Sequence, residues 1–411
     1  MITQTLMGLN GDEAVAWAVK QSNVDFVSAY PITPQTIIVE RISDFVNNGE
    51  VDLEFVAVES EHSALSACIG AAAAGARTFT ATAANGLQLM HEVLYIAASL
   101  RLPIVMAVAN RAPSGPINIH CDHNDSMGQR DSGWIQIYSE DAQEAYDNTI
   151  QAFRIAEHED VLLPVMIMMD AFLITHTMQN IYILPDDVVN KFVGTRRVEK
   201  VALPKIHGEK EVYRMLNPKY PITFGPLDLY DYYIEHKMQQ IEAMKNAKKV
   251  IMDVHEEYAE ISGRKYGDGL LDPYRADDAD YLLVGIGSTM GTARYVVDEL
   301  RSEGHKVGIV RIRTFRPFPA EEFRKMLSGK DMVGVLDRGI SFGSFGQVYL
   351  DLAAALYKRP EAPPLIDFVY GLGGRDMPPR LLKSIFMELM EGKEEPVMRI
   401  RGVRERSLLN T

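Results

Sequence analysis

Glu61 is the side chain in this sequence best placed to do chemistry. It opens the small-residue segment Glu61-His-Ser-Ala-Leu-Ser-Ala-Cys-Ile-Gly70-Ala-Ala-Ala-Ala-Gly75-Ala76, directly after the apolar run Phe55-Val-Ala-Val58. The run reads as a buried strand, and the small residues after it let a helix pack closely on the sheet, so the carboxylate stands where a strand hands over to a helix. Ligands of parallel α/β sheets bind at that edge. Two more loops leave strand ends in the same half of the chain, Tyr30-Pro31-Ile-Thr33-Pro34 and Asn110-Arg111-Ala-Pro113-Ser-Gly-Pro116. With Glu59-Ser-Glu61 they are expected to meet at one sheet edge and to offer a hydroxyl, a carboxylate and a guanidinium, the last suited to bidentate recognition of a substrate carboxylate. Each has a plainer reading. A glutamate favours a helix N-terminus through the macrodipole, and Pro and Gly punctuate any strand exit.

The elements that must position these groups follow an alternating rhythm. Asp25–Tyr30, Phe55–Val58, Arg77–Ala81, Pro103–Asn110 and Leu163–Asp170 read as strands, with a helix from about Thr36 and another through about Leu100. The near-continuous apolar runs before Asn110 and Asp170 suit strands buried on both faces of a parallel sheet, which makes the layout doubly wound α/β. The pattern loosens after residue 190, where Pro204, Pro218, Pro221 and Pro226 precede one charged helix from about Asp228 to Ser262. A second alternating unit then runs through Asp280–Ile286, a helix to Glu303, Lys306–Arg311, a helix near Ala320 and Met332–Asp337. The expected division is residues 1–190, a connector over 191–277, and a smaller parallel α/β unit over 278–411.

Composition narrows the function. At 411 residues, 47% hydrophobic and 24% charged, the chain is long and apolar enough for two packed domains. Its net charge of -14 argues against nucleic-acid binding, which needs clustered Lys and Arg. The two cysteines, Cys68 and Cys121, form no Cys-x-x-Cys pair, so neither a disulfide framework nor an iron-sulfur cluster is expected in this chain. With no charged-then-apolar leader at Met1 and no apolar run of spanning length, no membrane association and a cytoplasmic location are expected.

Three further motifs have competing readings. Asn118-Ile-His120-Cys-Asp122-His123-Asn-Asp125 clusters histidines and acids at spacings that suggest a metal site, against which stands a polar loop near the active site or a subunit interface; the second is preferred and no metal ligand is assigned. Gly267-Asp-Gly269 looks like a diphosphate-magnesium motif, but no strand precedes it and no Asn-Asn pair follows, so a turn is expected. Gly285-Ile-Gly287-Ser-Thr-Met-Gly291 follows a strand, yet its third glycine comes one place late for a dinucleotide fingerprint.

The glutamate nine residues ahead of Gly70 resembles the pyrimidine-binding domain of thiamine diphosphate enzymes. Over most of its length the chain resembles the alpha subunit of the 2-oxoacid:ferredoxin oxidoreductases, in particular the pyruvate type built from separate subunits. The residues that carry this are Tyr30-Pro-Ile-Thr-Pro34, Val58-Glu-Ser-Glu-His-Ser-Ala64, Asp131-Ser-Gly-Trp134, Thr314-Phe-Arg-Pro-Phe-Pro319 and Gly371-Leu-Gly-Gly-Arg-Asp376. The resemblance implies that residues 1–190 form the pyrimidine-binding domain and that residues 278–411 are similar to the transketolase C-terminal domain. It implies that Glu61 contacts the aminopyrimidine nitrogen as the catalytic group, with Tyr30 and Pro31 also at the cofactor, while Thr33 and Arg111 bind the oxoacid. Glu59 competes for the first role, but the same spacing from it lands on Cys68. The resemblance further implies that diphosphate and Mg2+ sit on a beta chain, that 4Fe-4S clusters sit in partner subunits, that gamma and delta chains complete the complex, and that coenzyme A and ferredoxin take the acyl group and the electrons. Asp337–Gly343 and Gly373–Arg375 are expected to be interface loops, coenzyme A contact being the lesser alternative. Pro113 and Ala171 depart from the leucine and glycine common in the family, which leaves pyruvate, 2-oxoisovalerate, indolepyruvate and 2-oxoglutarate open as substrates. A non-catalytic scaffold subunit and a self-sufficient transketolase-type transferase are the rivals of another class.

Overall fold

The computed structural model describes residues 2–196, 200–201, 212–213, 215–216, 223–225 and 227–404. Pro204, Pro218, Pro221 and Pro226 of the expected connector lie outside the described residues.

The chain starts with β1 (Thr5–Leu9) and α1 (Gly11–Gln21), whose first turn is closed by a capping box between Asn10 and Glu13. It continues through β2 (Phe26–Ala29), α2 (Thr36–Asn47), β3 (Glu54–Ala57), α3 (Glu61–Ala73), β4 (Thr78–Thr82), α4 (Ala84–Leu89), α5 (His91–Ser99), β5 (Ile104–Asn110), α6 (Asn124–Met127), β6 (Ile135–Tyr138), α7 (Ala142–Ala156), β7 (Val165–Asp170), β8 (Gln179–Ile183) and α8 (Asp186–Val193). Two short strands, β9 (Lys200–Val201) and β10 (Val212–Tyr213), pair antiparallel. The charged helix α9 (Tyr233–Ser262) ends where Gly263 takes a left-handed conformation, φ 73°. The second half comprises β11 (Leu271–Tyr274), β12 (Tyr281–Gly285), α10 (Thr289–Ser302), β13 (Val307–Ile312), β14 (Thr314–Arg316), α11 (Ala320–Met326), β15 (Met332–Asp337), α12 (Gln347–Leu356), β16 (Leu365–Val369), a 3-10 turn (Leu372–Gly374), α13 (Pro379–Met390) and β17 (Met398–Ile400).

Two sheets organise these elements. The first has the order β14-β6-β7-β5-β4-β2-β3, parallel except for β14, and its middle strands β5 and β7 are buried along their whole length. That burial is what their unbroken apolar sequence requires. From β2 the chain runs outward to β3 and then returns to the other side of β2 as β4. The strand order therefore reverses between β2 and β4, and a crevice opens beyond their C-terminal ends. The second sheet, β11-β13-β12-β15-β16-β17, reverses in the same way between β12 and β15. An antiparallel ribbon of β1 and β8 flanks the first unit.

The segment between the sheets belongs to both. Ala243, Ala247, Val250, Ile251, Val254 and Tyr258 of α9 bury themselves in the core of the first unit. Strand β11 joins the second sheet antiparallel to β13, and β14 crosses back to edge the first. Arg311 on β13 lies at the junction, fully buried. Its guanidinium reaches Glu144 at 2.7 Å and Glu140 at 3.0 Å on the first unit and Asp272 at 3.0 Å on the second. Removing one partner of a buried ion pair is costly because the other charge is left without compensation. Breaking such a pair costs about 3 to 5 kcal/mol; because Arg313 stays within 3.3 Å of Glu144, Arg311→Met is expected to lie at the lower end, about 3 kcal/mol. The fall in the denaturation midpoint measures it, and an unchanged midpoint would show that the junction does not depend on this charge.

Candidate active site at the first crevice

A buried amide, that of Gln35, holds the loop after β2. Gln35 donates from Nε2 to the Ala81 carbonyl at 2.7 Å and to the Tyr30 carbonyl at 3.3 Å, while its Oε1 accepts the Ile32 N–H at 3.4 Å. The loop is thereby tied to the end of β4, across the crevice. Tyr30, Pro31 and Thr33 stand exposed at its rim. The Thr33 carbonyl accepts a 2.7 Å bond from Arg111 Nη1, which joins the exits of β2 and β5. Arg111 also donates from Nε to the Asn118 carbonyl at 3.0 Å. Two of the five guanidinium N–H groups are used in this way, and the rest of the fork is available to a planar anion. Burial draws the Arg111 pKa down, opposed by Asp125, and an arginine so placed remains charged.

Glu61 begins α3. Ser60 caps that helix by accepting the Ser63 N–H at 3.2 Å, and the Glu61 side chain turns into the protein, only 6% exposed. It lies against Gly86 of α4. A Cβ at residue 86 would stand 2.5 Å from Glu61 Oε1 and would also collide with Thr82 Oγ1. The Thr82 hydroxyl is buried without a hydrogen-bond partner. No hydrogen bond or ion pair from the described residues engages the Glu61 carboxylate. Glu59 behaves differently: it is exposed, and the Ser63 hydroxyl that donates to it holds its carboxyl below the usual range. The two glutamates thus differ in environment, Glu61 turned inward and unengaged, Glu59 exposed and bonded to Ser63.

Asp125 ties the loops together from below. It is fully buried, and each of its oxygens accepts two N–H donors: Oδ2 those of Ala84 at 3.1 Å and Arg111 at 2.9 Å, Oδ1 the Asn110 amide at 2.8 Å and the Ser126 N–H at 2.7 Å. Asn85, next to the Ala84 turn, accepts the Ser114 N–H at 2.8 Å and so fixes the loop after Arg111. The roles of Gln35, Gly86 and Asp125 were not read from the sequence. For Asp125 a signal existed in the His120–Asp125 cluster. Gly86 carried none, because its neighbour Glu61 is remote in sequence.

The other residues of that cluster go to separate partners. Asp122 accepts the Asn124 N–H at 2.7 Å and the Gly373 N–H at 3.3 Å, and His120 lies exposed beside Asn118. His123 Nε2 meets Asp170 Oδ1 at 2.7 Å, both buried. Cys121, His123 and Asp170 hold ligand atoms within 4.8 Å of one another. Arg338, however, donates to Cys121 Sγ at 3.1 Å and to Asp170 Oδ2 at 3.0 Å, so a guanidinium already serves these donors. Burial alone would raise the Asp170 carboxyl, but His123 and Arg338 hold it well below the usual carboxylate range; burial pushes the Cys121 thiol up. The expected interface loops of the second unit do meet the first: Gly374 N–H donates to the Cys121 carbonyl at 2.7 Å and Ile340 N–H to Asn124 Oδ1 at 2.9 Å. Gly267-Asp-Gly269 forms a turn, in which Asp268 Oδ1 accepts the Leu270 and Leu271 N–H groups.

Comparison with known proteins bears on the family and the fold. Residues 17–256 match the profile of the family described as pyruvate flavodoxin/ferredoxin oxidoreductase, thiamine diphosphate-binding, and residues 279–382 match pyruvate:ferredoxin oxidoreductase core domain II. Pyruvate synthase subunit PorA of Thermotoga maritima is 53% identical over 386 residues, covering 94% of this chain and 95% of that one. The PorA subunit of Methanocaldococcus jannaschii is 49% identical over 398 residues, covering 97% and 98%. Ketoisovalerate oxidoreductase subunit VorA of Pyrococcus abyssi is 42% identical over 377 residues, covering 92% and 91%. Among solved structures, 2-oxoglutarate:ferredoxin oxidoreductase from Magnetococcus marinus superposes with a TM-score of 0.67 at 19% identity, over 94% of this chain and 65% of that longer one. A split-gene transketolase gives 0.52 at 13% identity, over 94% and 99%. At such identities the likeness bears on fold, and it matches a pyrimidine-binding unit followed by a transketolase C-terminal-like unit. The chain belongs to the pyruvate flavodoxin/ferredoxin oxidoreductase family, as an alpha-type subunit.

Proposed function

We propose that this chain is the alpha subunit of a thiamine diphosphate-dependent pyruvate:ferredoxin oxidoreductase, which converts pyruvate and coenzyme A to acetyl-CoA and CO2 with reduction of ferredoxin, reversibly. The observation that carries this reading is Glu61, a buried carboxylate at a topological switch point whose wall is shaped by a glycine. The residues present fit the cofactor's aminopyrimidine. An unengaged carboxylate suits a ring nitrogen, the unpartnered Thr82 hydroxyl adds a second polar atom, and Gly86 admits both side chains where a Cβ would collide with them. When bound, thiamine diphosphate supplies a nucleophilic carbon for the oxoacid's carbonyl and takes up the electrons released as CO2 departs.

Glu61 holds the proton exchanged with the ring nitrogen, the acid-base step that activates the cofactor. Tyr30 and Pro31 line its approach. Arg111 pairs its free N–H groups with the oxoacid carboxylate, and the Thr33 hydroxyl donates beside it. We assign diphosphate and Mg2+ to a beta chain, in keeping with the internal use of Asp268. The 4Fe-4S clusters belong in this reading to partner subunits, with gamma and delta chains completing the complex and ferredoxin as the external acceptor. No helix among the described residues is long and apolar enough to cross a membrane, and we propose a cytoplasmic location. The VorA relative supports a second reading with the same chemistry on 2-oxoisovalerate. Ferredoxin reduction by the native complex, tested with each of several oxoacids, decides between them; turnover with none would remove both.

Four outcomes are expected. Glu61→Gln keeps size and helix position but loses the proton exchange, so hydrogen-deuterium exchange at the cofactor's C2 carbon in the assembled complex should fall about a hundred- to ten-thousand-fold, while Glu59→Gln costs far less. Gly86→Ala introduces a better helix former but pushes the Glu61 carboxylate aside. The clash with Thr82 and Glu61 outweighs the gain in helix propensity, so the variant is expected to be somewhat less stable than the parent, and the fraction that assembles to lose C2 exchange in the same direction. Arg111→Lys should raise the oxoacid KM at least about tenfold, with the coenzyme A KM unchanged, because an ammonium cannot reproduce the planar fork. The isolated chain should bind thiamine diphosphate weakly and turn over nothing until a beta chain is added; oxoacid oxidation by the chain alone would exclude a shared site.

A further inference from the structure

Asp125 contacts no surface from which it could meet a ligand, yet it is bonded to both halves of the site. Its Oδ2 accepts the main-chain N–H of Arg111, the residue that carries the guanidinium, and the main-chain N–H of Ala84, two residues before Gly86. Ala84 holds φ at 39°, a left-handed conformation that an L side chain adopts at a cost. The carboxylate opposite its N–H is what retains it there. The geometry points to Asp125 as a positioning residue that sets the oxoacid-binding guanidinium and the glycine wall behind Glu61 as one unit. The inference rests on the roles proposed above for Arg111 and Glu61.

Three observations strengthen it. The other oxygen is saturated by Asn110 and Ser126, so the carboxylate cannot rotate without breaking four bonds. Charge-assisted bonds of this kind, from a buried ion to N–H donors, are among the stronger ones available to a protein. Burial raises the Asp125 pKa to about 6 against the pull of the Arg111, Asn110, Ser126 and Ala84 donors, so the four bonds keep an ion where desolvation disfavours one. Finally, the start of α6 and its capping residue are gripped from elsewhere. Asn124 Oδ1 accepts Ile340 N–H at 2.9 Å and Gln347 Nε2 at 3.1 Å, and His123 N–H donates to the Arg338 carbonyl at 2.8 Å. The second unit thus fixes the short helix from which Asp125 reaches the site.

Asp125→Asn tests this in the assembled complex. An amide offers one acceptor oxygen and one NH2, so whichever way it turns, one pair of N–H donors faces another donor. The expected result is an oxoacid KM raised at least about tenfold, together with a thiamine diphosphate dissociation constant raised several-fold, read by titrating the cofactor-depleted complex and following its protein fluorescence. The KM for coenzyme A should stay at the parent value. A residue that merely stabilised the fold would lower the yield or melting temperature of the complex and leave both constants of the assembled fraction unchanged; that result, or a change in only one of the two, overturns the proposal. Should the variant fail to assemble, Asn110→Ala removes one donor from Oδ1, together with a bond to the Ser126 hydroxyl, and should raise the same two constants a few-fold, with parental values overturning the proposal. Arg111→Lys run in parallel separates the two levels. If it leaves oxoacid saturation unchanged, the assignment of Arg111 fails; if it weakens saturation while Asp125→Asn does not, only the role of Asp125 fails.

Discussion

The carboxylate of Asp170 is the constraint on which the two-unit architecture depends. It ends β7 in the first sheet, and it reaches into the second sheet where strand order reverses between β12 and β15. There it accepts the Ser288 N–H at 3.0 Å and hydroxyl at 2.6 Å ahead of α10, and the Arg338 guanidinium at the end of β15. A position that in other doubly wound folds receives a ligand is filled by the protein's own acid. Gly287 takes a left-handed φ of 73°, and a Cβ there would stand 2.8 Å from Asp170 Oδ1. The glycine that lends the segment its likeness to a dinucleotide fingerprint therefore makes room for a neighbouring carboxylate. A buried ion needs every one of its partners, so the angle between the units is set by side chains drawn from both.

From that acid the order of the site follows strand by strand. Asp170 pairs in register with Asn110 on the adjacent β5, and the next residue is Arg111. Each loop at the crevice is then fixed by a polar group: buried Gln35 under the exit of β2, half-buried Ser60 at the start of α3, and buried Asp125 under the exits of β4 and β5. The groups assigned to chemistry stand on top of this layer with capacity to spare, Glu61 unengaged and Arg111 half used. Rigidity lies below and unsatisfied hydrogen bonding above, the arrangement a site needs if its geometry is set before a ligand arrives.

The parts of this that were legible in the sequence are those governed by local pattern. The apolar runs of β5 and β7 announced strands buried on both faces, Met332–Asp337 was read to the residue, and the start of α3 at Glu61 followed from a strand giving way to small residues. The helix expected through about Leu100 is present but divided at Met90 into α4 and α5. The charged helix begins at Tyr233 rather than about Asp228. What the sequence hid depends on partners far away. Gly86 matters because of Glu61, and His123 and Asp125, two places apart, serve Asp170 in one case and the Arg111 turn in the other. Their spacing resembled a ligand set only because sequence cannot show that their side chains go to different partners.

The crossing of β14 has a consequence for how the chain comes to exist. Strand β6 lies next to the rim of the first sheet, and the strand that covers it, Thr314–Arg316, is synthesised only after β12 and β13 of the other unit. A nascent chain emerging from the ribosome therefore carries an apolar first sheet whose β6 edge, Ile135–Tyr138, has no hydrogen-bonding neighbour for as long as it takes to translate most of the second sheet's opening half. Unpaired edges of that kind are templates for association with other chains. The first unit is thus completed by the second and not merely joined to it, and a truncation placed between the two sheets would leave an open edge instead of a domain.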